Sequence, residues 1–184
     1  MPHISIISAS VRTGRNSHRI ALYFKNYITE NNIATVEILD LMEYNFPLFQ
    51  ERLNFQKTPS AQTIEFAEKI KNSDGIIIVT PEYNGGYPAS LKNVIDLLLE
   101  EWLHKPIGIV TASAGPFAGL QCIISLQFTL WKMKAWAITE MFAVPKVQDA
   151  YDEKGNAIDK EGSDKRAKTF IQELIRCIKM GAIS

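Results

Sequence analysis

The chain has 184 residues, of which 46% are hydrophobic and 22% are charged; this composition is typical of a folded domain and excludes a disordered chain. Twenty basic and twenty acidic residues leave no formal net charge, which argues against a nucleic-acid partner bound through overall basicity. Two cysteines and three histidines provide neither a disulfide framework nor metal-ligand spacing, so no metal site is expected. We also expect no membrane segment, since no apolar run reaches the roughly 20 residues that span a bilayer.

The N-terminal run MPHISIISAS lacks a basic leader and is therefore not expected to be a signal peptide. Together with the low cysteine content, this predicts a cytoplasmic protein. Residues 1–184 show no repeat, no low-complexity tract and no domain boundary. They are predicted to form a single domain.

Short apolar runs alternate with amphipathic segments along the chain. In chain order, the first half predicts a strand at 3–9, a helix at 16–31, a strand at 35–39, a loop at 40–60, a helix at 61–72 and a strand at 75–80. The second half predicts a helix at 89–103, a strand at 107–112, a helix at 120–132, a strand at 136–144, a turn at 152–156 and a helix at 163–180. Trp131 and Trp136 are interpreted as core residues.

Five strands interleaved with helices predict an α/β fold with a parallel sheet covered on both faces. In such sheets, ligands bind outside the carboxyl ends of the strands, where the strand order reverses. Three loops leave predicted strands at this edge: the first loop (residues 8–17), the second loop (residues 81–88) and the third loop (residues 113–119). The candidate site residues lie in these loops.

The first loop has the composition of an anion site. A helix N-terminus offers unpaired N–H groups and a partial positive charge, and hydroxyl and guanidinium groups add hydrogen bonds to phosphate oxygens. The candidate ligands are Ser10, Arg12, Arg15, Asn16 and Ser17. The alternative is that Ser17 or Asn16 caps the helix and the arginines are solvated. The loop contains neither G-x-x-x-x-G-K-[ST] nor G-x-G-x-x-G.

The second and third loops predict a flat polar slot. Glycines allow a ligand to approach the backbone, and prolines stiffen the ends of the second loop. We expect the N–H groups from Tyr83 to Gly86 to face the edge of a planar heterocycle; the alternative is a glycine-proline turn with Glu82 in solvent. The candidate ring-binding residues are Pro81, Glu82, Tyr83, Asn84, Gly85, Ser113 and Gly115. A phosphate cradle beside such a slot suits flavin mononucleotide (FMN).

These motifs resemble the NAD(P)H-dependent FMN reductase family of the flavodoxin-like superfamily. Ser10-Val11-Arg12 is similar to its phosphate loop. The sequence PEYN at 81–84, followed by PASLKN at 88–93 with Asp96, is similar to its flavin-ring loop and the helix after it. Two features depart from the family pattern: Ala9 stands where glycine is usual, and the third loop holds less glycine.

The resemblance implies a flavodoxin-like three-layer sandwich with strand order 2-1-3-4-5, non-covalent FMN, and a homodimer or homotetramer. It also implies hydride transfer from NADPH or NADH through FMN to a small-molecule acceptor, such as a quinone, an azo compound, a free flavin or a metal ion. No side chain is expected to act as a general acid or base, because the flavin carries the chemistry. The alternative is a flavodoxin-type electron-transfer carrier that binds protein partners, against which the neutral net charge argues.

Overall fold

A computed structural model of the chain describes residues 1–181. The strands are β1 (His3–Ser8), β2 (Thr35–Asp40), β3 (Gly75–Pro81), β4 (Pro106–Ala112) and β5 (Trp136–Val144). The helices are α1 (His18–Glu30), α2 (Leu41–Tyr44), α3 (Ala61–Asn72), α4 (Ala89–Leu97), α5 (Cys122–Lys132), α6 (Val147–Ala150) and α7 (Lys160–Gly181). Two short 3-10 turns lie at Leu53–Phe55 and Glu100–Trp102.

The strands form a single parallel sheet in the order β2-β1-β3-β4-β5, which confirms the predicted order 2-1-3-4-5. Its register aligns the carboxyl ends: Ser8 pairs with Asp40 on one side, and Ala112 pairs with Val144 on the other. The first, second and third loops therefore leave the same edge of the sheet. The strand order reverses between β1 and β3, where ligands bind in folds of this kind.

Helices cover both faces of the sheet, as predicted. On one face α1 and α7 bury aromatic and aliphatic side chains, including Phe24 and Phe170, against the sheet. Gly108 in β4 makes this packing possible, because a Cβ there would lie 2.4 Å from Cζ of Phe170. On the other face α3, α4 and α5 form a second core around Phe66 and Trp102.

The predicted helix at 89–103 is wrong beyond Leu97. Leu98 adopts extended backbone, with φ −109° and ψ 165°, and a 3-10 turn follows at Glu100–Trp102. Leu97, Leu98 and Trp102 are nevertheless all buried in the same core, so the apolar pattern that predicted a continuous helix reflects burial on both sides of this break. The other boundaries differ from the predicted ones by up to three residues.

The predicted loop at 40–60 contains a helix that the sequence pattern did not indicate. Asp40 ends β2, and its carboxylate accepts a hydrogen bond of 3.0 Å from the Met42 N–H, which caps α2. Aspartate is a favoured N-cap residue. The segment after β5 likewise forms the short helix α6.

The interpretation of Trp131 and Trp136 as core residues is wrong. Trp131 is 67% exposed and Trp136 is 37% exposed. Helix α5 is apolar on opposite sides, so periodicity could not identify the buried one: Cys122 and Leu126 are buried, whereas Ile124 is exposed. None of the helices within residues 1–181 is both long enough and apolar enough to cross a bilayer.

Candidate functional site

A buried ion pair fixes the first loop from behind. Both terminal nitrogens of Arg15 donate to the carboxylate of Asp40, and Nη1 of Arg15 also donates to the Ser10 carbonyl at 2.6 Å. The Arg15 side chain is 12% exposed and that of Asp40 is 5% exposed. Arg15 is therefore not a solvated side chain, and one part of the alternative interpretation of this loop is wrong.

Ser17, the residue before α1, does not cap the helix. Its backbone is already helical and its side chain makes no capping hydrogen bond; Asn16 contributes its carbonyl oxygen to the Arg19 N–H. The hydroxyl oxygen of Ser17 is buried and has no hydrogen-bond partner within residues 1–181. Burying an unsatisfied polar group costs roughly 1–3 kcal/mol. A phosphate oxygen at the start of α1 would accept this hydrogen bond.

Arg12 is the cation that the first loop leaves available. Its side chain is exposed, and no hydrogen bond or ion pair engages its guanidinium group in the described part of the chain. The Ser10 hydroxyl is buried and shares a hydrogen bond of 2.8 Å with the Tyr83 hydroxyl. This contact joins the first loop to the second, so the two loops lie together as expected.

His18 adds little positive charge to the first loop at neutral pH. Burial lowers its pKa, and the neighbouring Arg15 cation lowers it further. Its Nδ1 lies 3.0 Å from the Ser8 hydroxyl and 3.5 Å from the Asp40 carboxylate. With Arg15 paired to Asp40, the uncompensated charge available to an anion comes from Arg12 and the N-terminus of α1.

The second loop is a tight reverse turn. Asn84 and Gly85 have φ values of 52° and 80°, the left-handed pair that a type I′ turn requires. The Tyr83 N–H donates to the Gly86 carbonyl at 2.8 Å, and the Gly86 N–H donates to the Tyr83 carbonyl at 3.1 Å. The expectation that all four N–H groups from Tyr83 to Gly86 face a ligand is therefore wrong for Tyr83 and Gly86, because the turn uses those two itself.

The N–H groups of Asn84 and Gly85 remain available, since neither donates to another group in residues 1–181. Glu82 is not a solvated side chain: its carboxylate accepts a hydrogen bond of 3.0 Å from the Gln121 N–H. This bond ties the second loop to the start of α5. Pro81 ends β3, so the polar turn begins directly at the carboxyl edge of the sheet.

Side chains of α4 hold the surrounding segments in place. The Ser90 hydroxyl donates to the Ala9 carbonyl at 2.6 Å, next to the first loop. Asn93 donates to the Pro47 carbonyl at 2.9 Å and accepts from the Phe49 N–H at 2.6 Å. These bonds explain the serine and the asparagine of the PASLKN motif. Ala9 is fully buried, so its methyl group fits where glycine is usual.

The third loop is more open than the first and second loops. The Ser113 hydroxyl donates to the Gly115 carbonyl at 2.9 Å, and that carbonyl also accepts from the Lys146 N–H at 3.0 Å. Around Gly115 there is space, because a Cβ built on it would have nothing within 4 Å. Phe117 is 77% exposed. Ser113 and Gly115 thus lie at the correct edge, in a loop with free volume for a ligand.

Three supporting residues are not among the candidate site residues predicted from the sequence: Asp40, and Ser90 and Asn93 of the PASLKN motif. Asp40 carried a signal, because an aspartate directly after an apolar strand is a common helix cap. The partners of Ser90 and Asn93 are 81 and 44 to 46 residues away. In residues 1–181 no group of three or more His, Cys, Asp or Glu side chains is placed to hold a metal ion.

Comparisons with known proteins define the family. The family model for NADPH-dependent FMN reductase matches residues 2–149. The NAD(P)H-dependent FMN reductase LOT6 of Saccharomyces cerevisiae is 34% identical over 144 residues, which cover 71% of this chain and 74% of that protein. A quinone reductase of Escherichia coli strain K12 is 38% identical over 98 residues, about half of each chain (51% and 50%).

Solved structures share the fold. FerB, a flavoenzyme NAD(P)H:(acceptor) oxidoreductase from Paracoccus denitrificans, superposes with a TM-score of 0.78 at 17% identity, covering 96% of this chain and 98% of that one. An azoreductase from Bacillus anthracis gives a TM-score of 0.55 at 14% identity, with coverages of 98% and 99%. At these identities the structures show the flavodoxin-like fold alone.

The chain belongs to the NADPH-dependent FMN reductase family. The predicted family, its enzyme class and its use of FMN with NAD(P)H are confirmed. The residues of this chain fit the flavin: within residues 1–181 the buried Ser17 hydroxyl lacks a partner, and the space at Gly115 is open.

Proposed function

We propose that this chain binds FMN non-covalently at the carboxyl edge of its sheet and transfers reducing equivalents from NADPH or NADH to a small-molecule acceptor. The acceptor classes are quinones, azo compounds, free flavins and metal ions. The observation that carries the proposal is the Ser17 hydroxyl at the start of α1, which is buried and has no partner in the described part of the chain. The quinone reductases among the relatives support the first acceptor class.

The proposed ligands divide between the two ends of the flavin. The phosphate is bound by Ser10, Arg12, Asn16 and Ser17, with Arg15 in the same loop. The ring is bound by Pro81, Glu82, Tyr83, Asn84, Gly85, Ser113 and Gly115. The shared hydrogen bond between Ser10 and Tyr83 supports this division, because it puts the phosphate end and the ring end of the site in contact.

When bound, FMN supplies the ring that accepts and donates hydride. The chain contributes binding and electrostatics. The Asn84 and Gly85 N–H groups are oriented by the turn and are free to donate to negative charge at the ring edge. Cys122 does not provide a thiolate: burial, with the nearby Glu82 carboxylate, raises its pKa to about 11, so the thiol stays protonated at neutral pH.

We further propose that two copies of the chain associate through α5, as a homodimer or as part of a homotetramer. Ile124 is 77% exposed, Phe128 is 62% exposed and Trp131 is 67% exposed, and together they form an apolar strip on one side of α5. A second copy of the same strip would bury it. In light scattering after size exclusion, Ile124→Asp should convert the assembly to a smaller species, whereas exposed Lys25→Asp should not.

The remaining proposals concern organisation and location. The chain forms a single domain, a proposal supported by the packing of both cores of residues 1–181 against one sheet. The protein is cytoplasmic, in keeping with two free cysteines in a compartment that keeps thiols reduced.

A spectroscopic experiment tests the proposed function. The purified protein with FMN should show the bound-flavin absorption bands, which NADPH should bleach without oxygen and a quinone should restore. Failure to retain FMN, or to bleach with either NADPH or NADH, would contradict the proposal. Photoreduction in two separate one-electron steps, with no reaction with NAD(P)H, would favour the flavodoxin-type carrier instead.

A further inference from the structure

The Arg15–Asp40 pair connects three segments behind the first loop. Asp40 ends β2 beside Ser8 in the sheet register, and it accepts the Met42 N–H at the start of α2. Arg15 adds the third connection. The same Nη1 atom of Arg15 that donates to Asp40 also donates to the Ser10 carbonyl at 2.6 Å. The shape of the loop from Ser10 to Arg15 therefore depends on an aspartate 25 residues away from Arg15.

Both terminal nitrogens of Arg15 are engaged by this pair. The pair is bidentate and largely buried, and removing one partner of such a pair leaves an uncompensated charge with a large desolvation penalty. Turning Arg15 toward a phosphate would leave the Asp40 carboxylate buried without the guanidinium cation that pairs with it. The cost of burying that uncompensated charge opposes the turn.

The side chain of Arg12, unlike that of Arg15, is not engaged by another residue of the described chain. Its guanidinium group is exposed and has no partner within residues 1–181. The two arginines of one loop are thus divided between a free cation and a cation committed to the protein.

We propose that Arg15 and Asp40 are positioning residues that hold the first loop in its phosphate-binding shape, with Arg15 acting through the Ser10 carbonyl and not as a phosphate ligand. This inference rests on the proposed FMN site. Asp40, although negatively charged and close to an anion site, supports anion binding because it keeps Arg15 in place. The pair acts at the phosphate end of the flavin, so its effect depends on the phosphate group.

Comparing FMN with riboflavin, which lacks the phosphate, isolates that effect. The experiment titrates the flavin-free full-length chain with each flavin and follows flavin fluorescence. Asp40→Asn keeps the size of the side chain and removes its charge. Glu37→Gln is the matched control, because Glu37 lies on the same strand, is half-buried and is also paired, with Lys69 and His3, but within residues 1–181 forms no hydrogen bond or ion pair with the first loop.

We expect Asp40→Asn to weaken FMN binding by roughly tenfold or more, while riboflavin binding changes by less than about twofold. Glu37→Gln should change neither. The double variant Arg15→Met/Asp40→Asn should bind FMN no more weakly than whichever of the two single variants binds it more weakly, because the two residues act as a unit. Arg15→Lys keeps the charge but lacks the fork of donors, and it should also weaken the binding of FMN more than that of riboflavin. This variant tests the proposal even if Asp40→Asn does not fold.

Two results would overturn the inference. Unchanged FMN binding by Asp40→Asn would mean that the ion pair does not hold the loop in its binding shape, and tighter binding would mean that a released Arg15 binds the phosphate directly. Equal losses for FMN and riboflavin would mean a general structural role. In both cases the parent still binds FMN and the proposed function stands; a parent chain that binds neither flavin overturns the proposed function and this inference together.

Discussion

The first and third loops leave the same edge of the sheet but are held very differently. The first loop is fixed by the buried pair of Arg15 and Asp40 and by the contact of Ser10 with Tyr83. The third loop keeps free volume at Gly115 and exposes Phe117. A phosphate dianion needs charges and donors in fixed positions, whereas an acceptor that changes from one turnover to the next needs accessible space. The contrast supports our proposal that the first loop binds the flavin phosphate, and it leaves room at the third loop for a substrate beside the flavin ring.

The largest effect is expected in the first loop, at Arg12. Arg12→Ala removes a charge-assisted hydrogen bond to phosphate, worth roughly 1.5–3 kcal/mol, and should weaken FMN binding by about ten- to a hundredfold or more. Equilibrium dialysis against FMN measures this change. Lys25→Ala removes one exposed positive charge from α1 and serves as the control; equal losses from both variants would contradict a specific phosphate contact.

Within the third loop, two glycines should respond differently to the same substitution. Gly119 has φ +71°, and a Cβ on it would lie 3.0 Å from the Ala112 carbonyl oxygen; Gly119→Ala should lower the free energy of unfolding by roughly 1–2 kcal/mol. Gly115 has open space around it, so Gly115→Ala should stay within about 0.5 kcal/mol of the parent. Urea unfolding compares them, and equal stability of the two variants would contradict this account of the loop.

His18 makes the first loop sensitive to acid. Burial lowers its pKa from the ordinary value of 6.5, so the unfolded chain binds the proton more readily than the folded chain does. The free energy of unfolding should therefore decrease as the pH falls below 6.5, and His18 should have no effect well above that pH. His18→Gln should reduce this decrease between about pH 7 and pH 5. Chemical unfolding at several pH values tests it, with His104→Gln as the control; an unchanged slope for His18→Gln would be the contrary result.

The smallest effect on stability is expected at Phe117. Because this side chain is 77% exposed, Phe117→Ala should change the free energy of unfolding by no more than about 0.5 kcal/mol. FMN binding should change by less than about twofold, since the proposed phosphate ligands lie in the first loop. Thermal unfolding and an FMN titration measure both quantities. A large loss of FMN would show that the third loop is as important for holding the flavin as the first.

Local patterns predicted much of the fold. The strand at Trp136–Val144 is predicted at its observed bounds, because a run containing β-branched and aromatic residues ends at Pro145. The parallel order followed from the alternation of strands and helices with the family resemblance. The position of the three loops at one edge then followed from the direction of parallel strands.

The site was less predictable where it depends on contacts between distant residues. Arg15 and Arg12 look alike in the sequence, and only the buried Asp40 separates a committed cation from a free one. Which side of α5 is exposed could not be read from its sequence, since apolar residues lie on both sides.

One feature of the site was predictable from a local signal. The use of the Tyr83 and Gly86 N–H groups within the turn follows from Asn84-Gly85, a strong type I′ signal.

A crystal structure of the chain with FMN tests the central claim most directly. We predict a phosphate oxygen within hydrogen-bond distance of the Ser17 hydroxyl, the Arg12 guanidinium group in contact with the same phosphate, and Arg15 still paired with Asp40. A phosphate bound away from the start of α1, with the Ser17 hydroxyl still lacking a partner or satisfied by the protein itself, would contradict the account.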